Sequence, residues 1–339
     1  MQRKLTLLAM VLLIPVLLFS QAQAEASKYP TPEKPIIFKG GTVSAPQTAQ
    51  NRSLYRWRDY VKEATNGAIL IEVYPSEQLG TERVLLENAN MGTIDFTYVG
   101  PGGAARLTPE FGMFENAYTI QSKKHMENSL FNYDFVKYMD GILSKACNLN
   151  FLGFGWTGSR HALFNKPVRT PEEAAGLKMR IPDVATYKIA ANAIGCVPTP
   201  ISYGESYMAM SQGVVDGGEG PYQGIFDAKW YEVRKVVTET AHVESVGALF
   251  INETSMAKLS PDQQKIVRDE AFRAMKDAYI LAIEEDVGYK EKLIALGVQI
   301  ITLTDAQKLL IVQRAQAQLE KDYIPTYGEA WKVFQDLAK

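Results

Sequence analysis

Arg160 and Arg180 stand 20 positions apart, and the acidic glycine turn Val214-Val215-Asp216-Gly217-Gly218-Glu219-Gly220-Pro221-Tyr222 follows them. Side chains of these types hold carboxylates. A guanidinium is charged at any working pH and presents a planar fork of N–H donors. It therefore grips a carboxylate through two parallel hydrogen bonds, where a lysine offers only a point charge. The predicted chemistry is non-covalent recognition of an anion. Most arginines are solvated surface residues, so what distinguishes these two is their setting on the chain.

Bond-making chemistry finds little support. His125, His161 and His242 are far apart and have no carboxylate or cysteine at metal-ligand spacing, so no metal site is expected. No Gly-x-Ser-x-Gly elbow occurs, and nothing nominates a nucleophile with a nearby base. Gly153-Phe154-Gly155-Trp156-Thr157-Gly158 matches the dinucleotide fingerprint, with Glu173 20 residues past its first glycine. The context rejects it. Ser159-Arg160-His161-Ala162-Leu163-Phe164 reads as extended chain, so no helix terminus is offered to a pyrophosphate, and Trp156-Thr157-Gly158 is read as a crossing between domains. Cys147 and Cys196, 49 apart, do not make a disulfide framework.

The elements that must position the arginines alternate strand with helix. Pro35 to Lys39 is a predicted strand turned by Gly40-Gly41 toward a helix from Gln47 to Ala64, which Asn66-Gly67 ends. Ala68 to Pro75 is a second strand, Thr81 to Ala89 a helix, and Ile94 to Val99 a third strand ending in Gly100-Pro101-Gly102. Short alternation of this kind implies parallel pairing with helices packed on the sheet. A second set begins near Gly158. Thr170-Pro171-Glu172-Glu173 reads as a capping box opening a helix to Gly176, and Leu177 to Ile181 as a strand with Arg180 near its carboxyl end, where open α/β sheets hold ligands. Helices are predicted from Val184 to Ile194 and Glu205 to Gln212, with Val214-Val215 as a strand entering the acidic turn. Ser260-Pro261-Asp262-Gln263 is a further capping box. It opens a helical pattern of about 35 residues toward Leu296, roughly 50 Å at 1.5 Å per residue and long enough to lie across two domains.

The amino terminus bounds the compartment. Arg3 and Lys4, an apolar run from Leu5 to Phe19 and Ala22-Gln23-Ala24 form the three parts of a secretory signal peptide over residues 1–24, with cleavage expected after Ala24. The run is shorter than the roughly 20 residues that cross a bilayer. The expected location is the periplasm. The 315 residues that remain favour two domains, since single cores stop growing at about 250 to 300 residues. Losing Arg3 and Lys4 takes the formal net charge from −2 to −4, and the chain lacks the basic patch that nucleic acid requires.

At this point the residues resemble a known family. Gly176-Leu177-Lys178-Met179-Arg180-Ile181-Pro182, Pro198-Thr199-Pro200, Tyr203-Gly204-Glu205-Ser206-Tyr207 and Val214-Val215-Asp216-Gly217-Gly218-Glu219 are similar to DctP-type substrate-binding proteins of TRAP (tripartite ATP-independent periplasmic) transporters. Thr65-Asn66-Gly67, Val73-Tyr74-Pro75, Gln78-Leu79-Gly80, Gly92-Thr93-Ile94-Asp95 and Pro109-Glu110-Phe111 fall in the same order and spacing. The resemblance implies a two-lobed periplasmic-binding-protein-like α/β fold, each lobe a mainly parallel sheet flanked by helices, with hinge strands and a long spanning helix. Residues 25–157 with about 246–285 are expected as lobe I, and 158–245 with about 286–339 as lobe II and C-terminal helices.

By the same resemblance, the arginine at the position of Arg180 pairs with a substrate carboxylate and that at Arg160 assists. Family members often carry asparagine after the glutamate of the acidic turn, where Gly220 stands here. One donor is absent, which leaves room for Tyr222 or Trp156 to stack on an aromatic or extended acid. A metal-using subgroup places tryptophan at that position, so Gly220 speaks against a required metal, and no cofactor is expected. Further contacts are expected from Gln47, Gln50, Tyr98 and the strand end to Gly102, with Glu219 supporting an arginine. The implied function is a monomeric, non-enzymatic receptor that delivers an organic acid to the small and large membrane subunits of a permease. Its alternatives are a ligand-binding partner of a membrane sensor and an exported enzyme on the same scaffold.

Overall fold

The computed structural model describes residues 28–339, and the signal-peptide expectation lies outside the described residues. β1 (Ile36–Gly41) pairs in parallel with β2 (Ile69–Tyr74) and with β3 (Phe96–Val99). Helix α1 (Ala49–Ala64) returns the chain from β1 to its parallel neighbour β2, and α2 (Glu82–Met91) carries it from β2 across β1 to β3. Thr48 starts α1 by accepting the Asn51 N–H, and Gly92 ends α2 in a left-handed turn with φ 76°. α3 (Lys123–Leu130) and α4 (Tyr133–Ala146) lead to β4 (Leu149–Phe164), a strand of 16 residues. The fingerprint-like glycines Gly153 to Gly158 therefore lie inside a strand.

The sheet that carries β4 runs through both halves of the molecule. Its order is β2-β1-β3-β8-β4-β7, where β7 is Gly218–Gly220 and β8 (Val236–Asn252) is 17 residues long and antiparallel to β4. The carboxyl half of β8 pairs with β3, and its amino end pairs with β9 (Gln299–Ile301). Register shifts between Trp156 and Ser159 and between Arg160 and Ala162 interrupt the long pair midway. Gly158 sits there with φ 116°, and a β-carbon at that residue would lie 2.6 Å from an Asp286 carboxylate oxygen. In the second half, β5 (Lys178–Ile181) and β6 (Val197–Pro200) form a two-stranded parallel sheet connected by α5 (Tyr187–Ile194). α6 (Ser206–Ser211), β7 (Gly218–Gly220) and α7 (Tyr222–Asp227) follow.

Two local expectations fail for identifiable reasons. Thr170 caps only one helical turn, Pro171–Ala174, because the Glu173 carboxylate turns to the Arg169 N–H at 2.7 Å instead of closing the box. Val214-Val215 is a bend, and the strand starts at Gly218. The Asp216 carboxylate accepts the Lys178 N–H at 2.7 Å, and Gly217 bridges Met179, which holds that turn against β5. Only glycine fits at 217, where a β-carbon would lie 2.1 Å from the Leu163 carbonyl oxygen.

α8 (Pro261–Ala295) is the predicted long helix, 35 residues with both arms of the Ser260/Gln263 capping box formed. Its first half packs Val267, Ala271 and Met275 against Leu54 and Trp57, and its last turns pack Tyr289 and Leu293 near Leu163 and Trp230. One helix thus belongs to two cores. α9 (Asp305–Asp322) packs on α5, with Arg314 Nε donating to the Ala193 carbonyl at 3.0 Å. α10 (Ile324–Asp336) returns to the first half, where Phe334 meets Phe114 and His125 at ring-centroid distances of 5.4 and 4.4 Å. Cys147 and Cys196 are free thiols. No helix among the described residues is long and apolar enough to cross a membrane.

Candidate ligand-binding site

A cavity of about 120 Å³ lies where the two halves meet, and Arg160, Arg180, Gln50 and Gly220 are in its wall. Its size is near that of a cavity of about 150 Å³ that holds benzene, so it suits a compact organic molecule. A second space of about 420 Å³ adjoins it, sharing Arg180, Glu82, Pro182 and Tyr203.

Arg180 is the penultimate residue of β5, whose backbone is fixed by the Arg180 N–H donating to the Gly217 carbonyl at 2.9 Å. Its side chain is 2% exposed, its Nε donates to the Ile201 carbonyl at 2.9 Å, and its guanidinium lies 5.6 Å from the Trp230 ring centre. No carboxylate among the described residues lies within 4.0 Å of it. Burial pushes its pKa down to about 10, which marks a cation short of a counter-anion.

Arg160, on β4, is held differently. Its Nε and Nη2 donate to the two carboxylate oxygens of Glu219 at 2.6 Å each, and its Nη1 reaches the Ser245 hydroxyl at 3.2 Å. Burial opposes both charges, yet the pair prevails: Arg160 titrates above its ordinary range, and the Arg160 charge holds Glu219 down at about 2. Behind Glu219, the Nε2–H of His242 donates to the carboxylate at 3.1 Å while the Thr240 hydroxyl donates to Nδ1 at 2.8 Å. Most of the donor capacity of Arg160 is thereby spent inside the protein. Arg180 keeps both terminal nitrogens for the cavity.

The other expected residues divide by strand and helix geometry. Gln50, in the first turn of α1, donates Nε2 to the Tyr98 carbonyl at 3.2 Å and lines the cavity. Gln47 is exposed outside it, and its backbone carbonyl accepts from Arg52. Tyr98 itself is fully buried in the core, its ring under Gly247, because alternation along β3 sends it away from the face that Val99 and Gly100 present to the cavity. Trp156 likewise turns from the cavity that Thr157 lines. Its indole N–H donates to Glu244 at 2.8 Å, and its ring meets Tyr279 of α8 at 5.7 Å. Tyr222 also points away, donating to Glu239 at 2.7 Å and packing on His161 at 4.7 Å, while its neighbours Pro221 and Gln223 line the wall.

The room expected beside Gly220 is filled by neither Trp156 nor Tyr222. Trp230 fills it: a β-carbon at Gly220 would sit 3.1 Å from Trp230 Cζ3. Sequence reading also passed over Glu82, Glu115, Tyr187, Tyr203, Trp230, Gln223 and Ser245 in the wall. These come from seven separate stretches of chain and share no spacing by which sequence could assemble them. Only Tyr203, within Tyr203-Gly204-Glu205-Ser206-Tyr207, stood in a segment already singled out.

Two α/β halves joined by long antiparallel strands, with a buried unpaired guanidinium between them, define the class of two-lobed solute-binding proteins. The chain belongs to the DctP family, described as bacterial extracellular solute-binding protein, family 7, which matches residues 40–325. It is 30% identical over 259 residues to a solute-binding protein of Roseobacter denitrificans, covering 76% of this chain and 79% of that one. It is 27% identical over 328 residues to the C4-dicarboxylate-binding periplasmic protein DctP of Rhodobacter capsulatus, covering 86% and 95%. Among solved structures, a TRAP periplasmic solute-binding protein of Actinobacillus succinogenes with bound L-galactonate superposes with a TM-score of 0.81 at 26% identity, covering 89% of this chain and 99% of that one. These relatives are solute receptors named for binding, and the two-lobed fold is theirs.

Proposed function

We propose that this chain is an extracytoplasmic receptor that binds one organic acid by its carboxylate on Arg180, in the cleft between its lobes, and delivers it to the two membrane subunits of a TRAP-type permease. The observation that carries this reading is Arg180: a guanidinium that is 2% exposed, has no carboxylate of the described residues within 4.0 Å, and lines a cavity. Arg160, neutralised by Glu219, adds one hydrogen-bonding edge to the same anion. The lobes divide at residues 157/158 and about 245/246, where β4 and β8 cross. α8 spans them, α9 goes with lobe II, and α10 packs on lobe I. The protein acts as an exported monomer in the periplasm, without metal or cofactor.

Binding needs no bond chemistry. Closure of the lobes on the anion excludes water, and the attraction between guanidinium and carboxylate strengthens as the local dielectric falls. Two charge-assisted hydrogen bonds contribute roughly 1.5 to 3 kcal/mol each, whereas micromolar affinity requires about 8 kcal/mol. Gln50, Ser245 and Gln223, with the face of Trp230, are placed to add the remainder. Trp230 closes the room on which the expectation of an aromatic acid rested, so a compact acid suits the cavity better. The test is a thermal-shift screen of ligand-stripped mature protein against carboxylic acids and their neutral amides. An acid at about 100 times its Kd stabilises the fold by roughly 2.7 kcal/mol. Arg180→Ala is expected to weaken the acid that responds by two or more orders of magnitude. Equal response to acid and amide overturns the reading.

A further inference from the structure

Carboxylate binding leaves one pair of side chains in this cavity unexplained. Glu82 opens α2, Glu115 follows the short 3₁₀ segment Pro109–Phe114, and both line the cavity wall with Arg180. Among the described residues no basic side chain lies within 4.0 Å of either carboxylate. Glu115 accepts the Gly102 N–H at 2.6 Å and the Tyr187 hydroxyl at 2.8 Å, while Glu82 accepts the Gly100 N–H. The two acids converge on Gly100, where a β-carbon would lie 2.6 to 2.8 Å from oxygens of both. Burial, with Glu82 beside it, pushes Glu115 up to about 8, so this pair resists carrying two charges. Each carboxylate keeps acceptor capacity beyond these bonds. The same wall holds donors without a hydrogen-bond partner among the described residues: the terminal nitrogens of Arg180, and the indole N–H of Trp230, which is buried.

We propose that Glu82 and Glu115 set the substrate class: the cavity takes a monocarboxylate whose far end carries hydrogen-bond donors, hydroxyl or ammonium, and it rejects a second carboxylate. This rests on the reading of Arg180 as the carboxylate anchor. The anchor and the acid pair divide the cavity into a donor side and an acceptor side, and a ligand must match both in one orientation. A dicarboxylate would bring a charge against two acids that already repel each other. An unsubstituted aliphatic acid would bury both without a donor.

The experiment uses ligand-stripped protein and two sets of probes matched in length. The first is butyrate, succinate, threonate and 4-aminobutyrate; the second is hexanoate, adipate, gluconate and 6-aminohexanoate. Within a set, the hydroxylated or the amino monocarboxylate is expected to bind at least tenfold more tightly than the diacid and the unsubstituted acid, and whichever binds tells hydroxyl from ammonium. Glu82→Gln and Glu115→Gln preserve shape, and each is expected to weaken that probe tenfold or more while tightening the diacid. A role confined to holding the Gly100 turn predicts no such gain. A wild-type preference for succinate, adipate or the unsubstituted acids overturns the inference and leaves the receptor reading standing. Gln variants that keep the wild-type preference also overturn it. Binding by none of the eight acids overturns the carboxylate anchor and the inference together.

Discussion

Replacing Arg180 by Met separates a ligand anchor from a structural cation, because the two roles predict opposite effects on the ligand-free protein. Burial lowers Arg180 from 12.5 to about 10. At 1.36 kcal/mol per pKa unit, this difference sets roughly 3 kcal/mol against the charged form in the empty site. Methionine has similar reach and no charge, so it removes that cost. It also forfeits the bond from Nε to the Ile201 carbonyl, 2.9 Å long, and a buried carbonyl left unpaired costs about 1 to 3 kcal/mol. The ligand-free protein is therefore expected to keep its stability or gain about 1 to 2 kcal/mol. Affinity moves the other way. Losing two charge-assisted hydrogen bonds removes roughly 3 to 6 kcal/mol, about two to four orders of magnitude in Kd. Urea unfolding of stripped protein measures the first quantity, and calorimetric titration with the acid found by screening measures the second. An Arg180→Met protein that loses several kcal/mol of stability yet binds with wild-type affinity would refute the assignment.

Three further outcomes follow from single contacts. Gly220→Ala places a β-carbon 3.1 Å from Trp230 and is expected to cost about 1 to 3 kcal/mol by overpacking, a penalty that disappears in a Trp230→Leu background. A double-mutant cycle by thermal unfolding measures this coupling, and independent effects would rule out the proposed filling of that space. His161 contributes stability that acid removes: burial holds it down at about 3, and unfolding restores it to about 6.5, whereas Glu115, raised to about 8, acts in the opposite sense between about pH 8 and 4.5. At His161 the unfolded chain therefore takes up the proton first, and stability present above about 6.5 is lost as pH falls toward 3. The depressed pKa of Glu219 extends that loss below about 4.5. Urea midpoints of wild type and His161→Gln at pH 7.5 and 5 test this: the stability of the variant relative to wild type is expected to rise as pH falls, and a difference that does not change with pH refutes it. Ser260→Ala removes the acceptor of the Gln263 N–H at 3.2 Å and should lower stability by about 1 kcal/mol, read as a lower melting temperature with unchanged ligand preference.

Local chemistry fixed much of this protein before any fold was in view. The Ser260 box set the start of α8 because its hydroxyl and the Gln263 amide satisfy each other's neighbouring N–H groups within four residues. Gly92, Gly195 and Gly213 adopt positive φ where helices end, a demand that glycine meets without strain. Arg180 near the end of its strand was legible because strand residues before it and Pro182 after it set that position. The family was legible for a related reason: its motifs are turns and strand ends, each specified by a few adjacent residues.

Tertiary structure decided what faces what. Tyr98, Trp156 and Tyr222 lie in segments that reach the cavity, yet each turns away, because alternation along a strand or the entry angle of a helix assigns its neighbour to the wall. Register shifts in β4 alter that assignment within a few residues, and sequence spacing does not record them. Glu82 and Glu115, 33 positions apart, read as an ordinary first-turn acid and an ordinary loop residue. Only the meeting of their carboxylates at Gly100 makes them a pair, since electrostatic coupling depends on distance in space and the chain between them can close that distance in many ways.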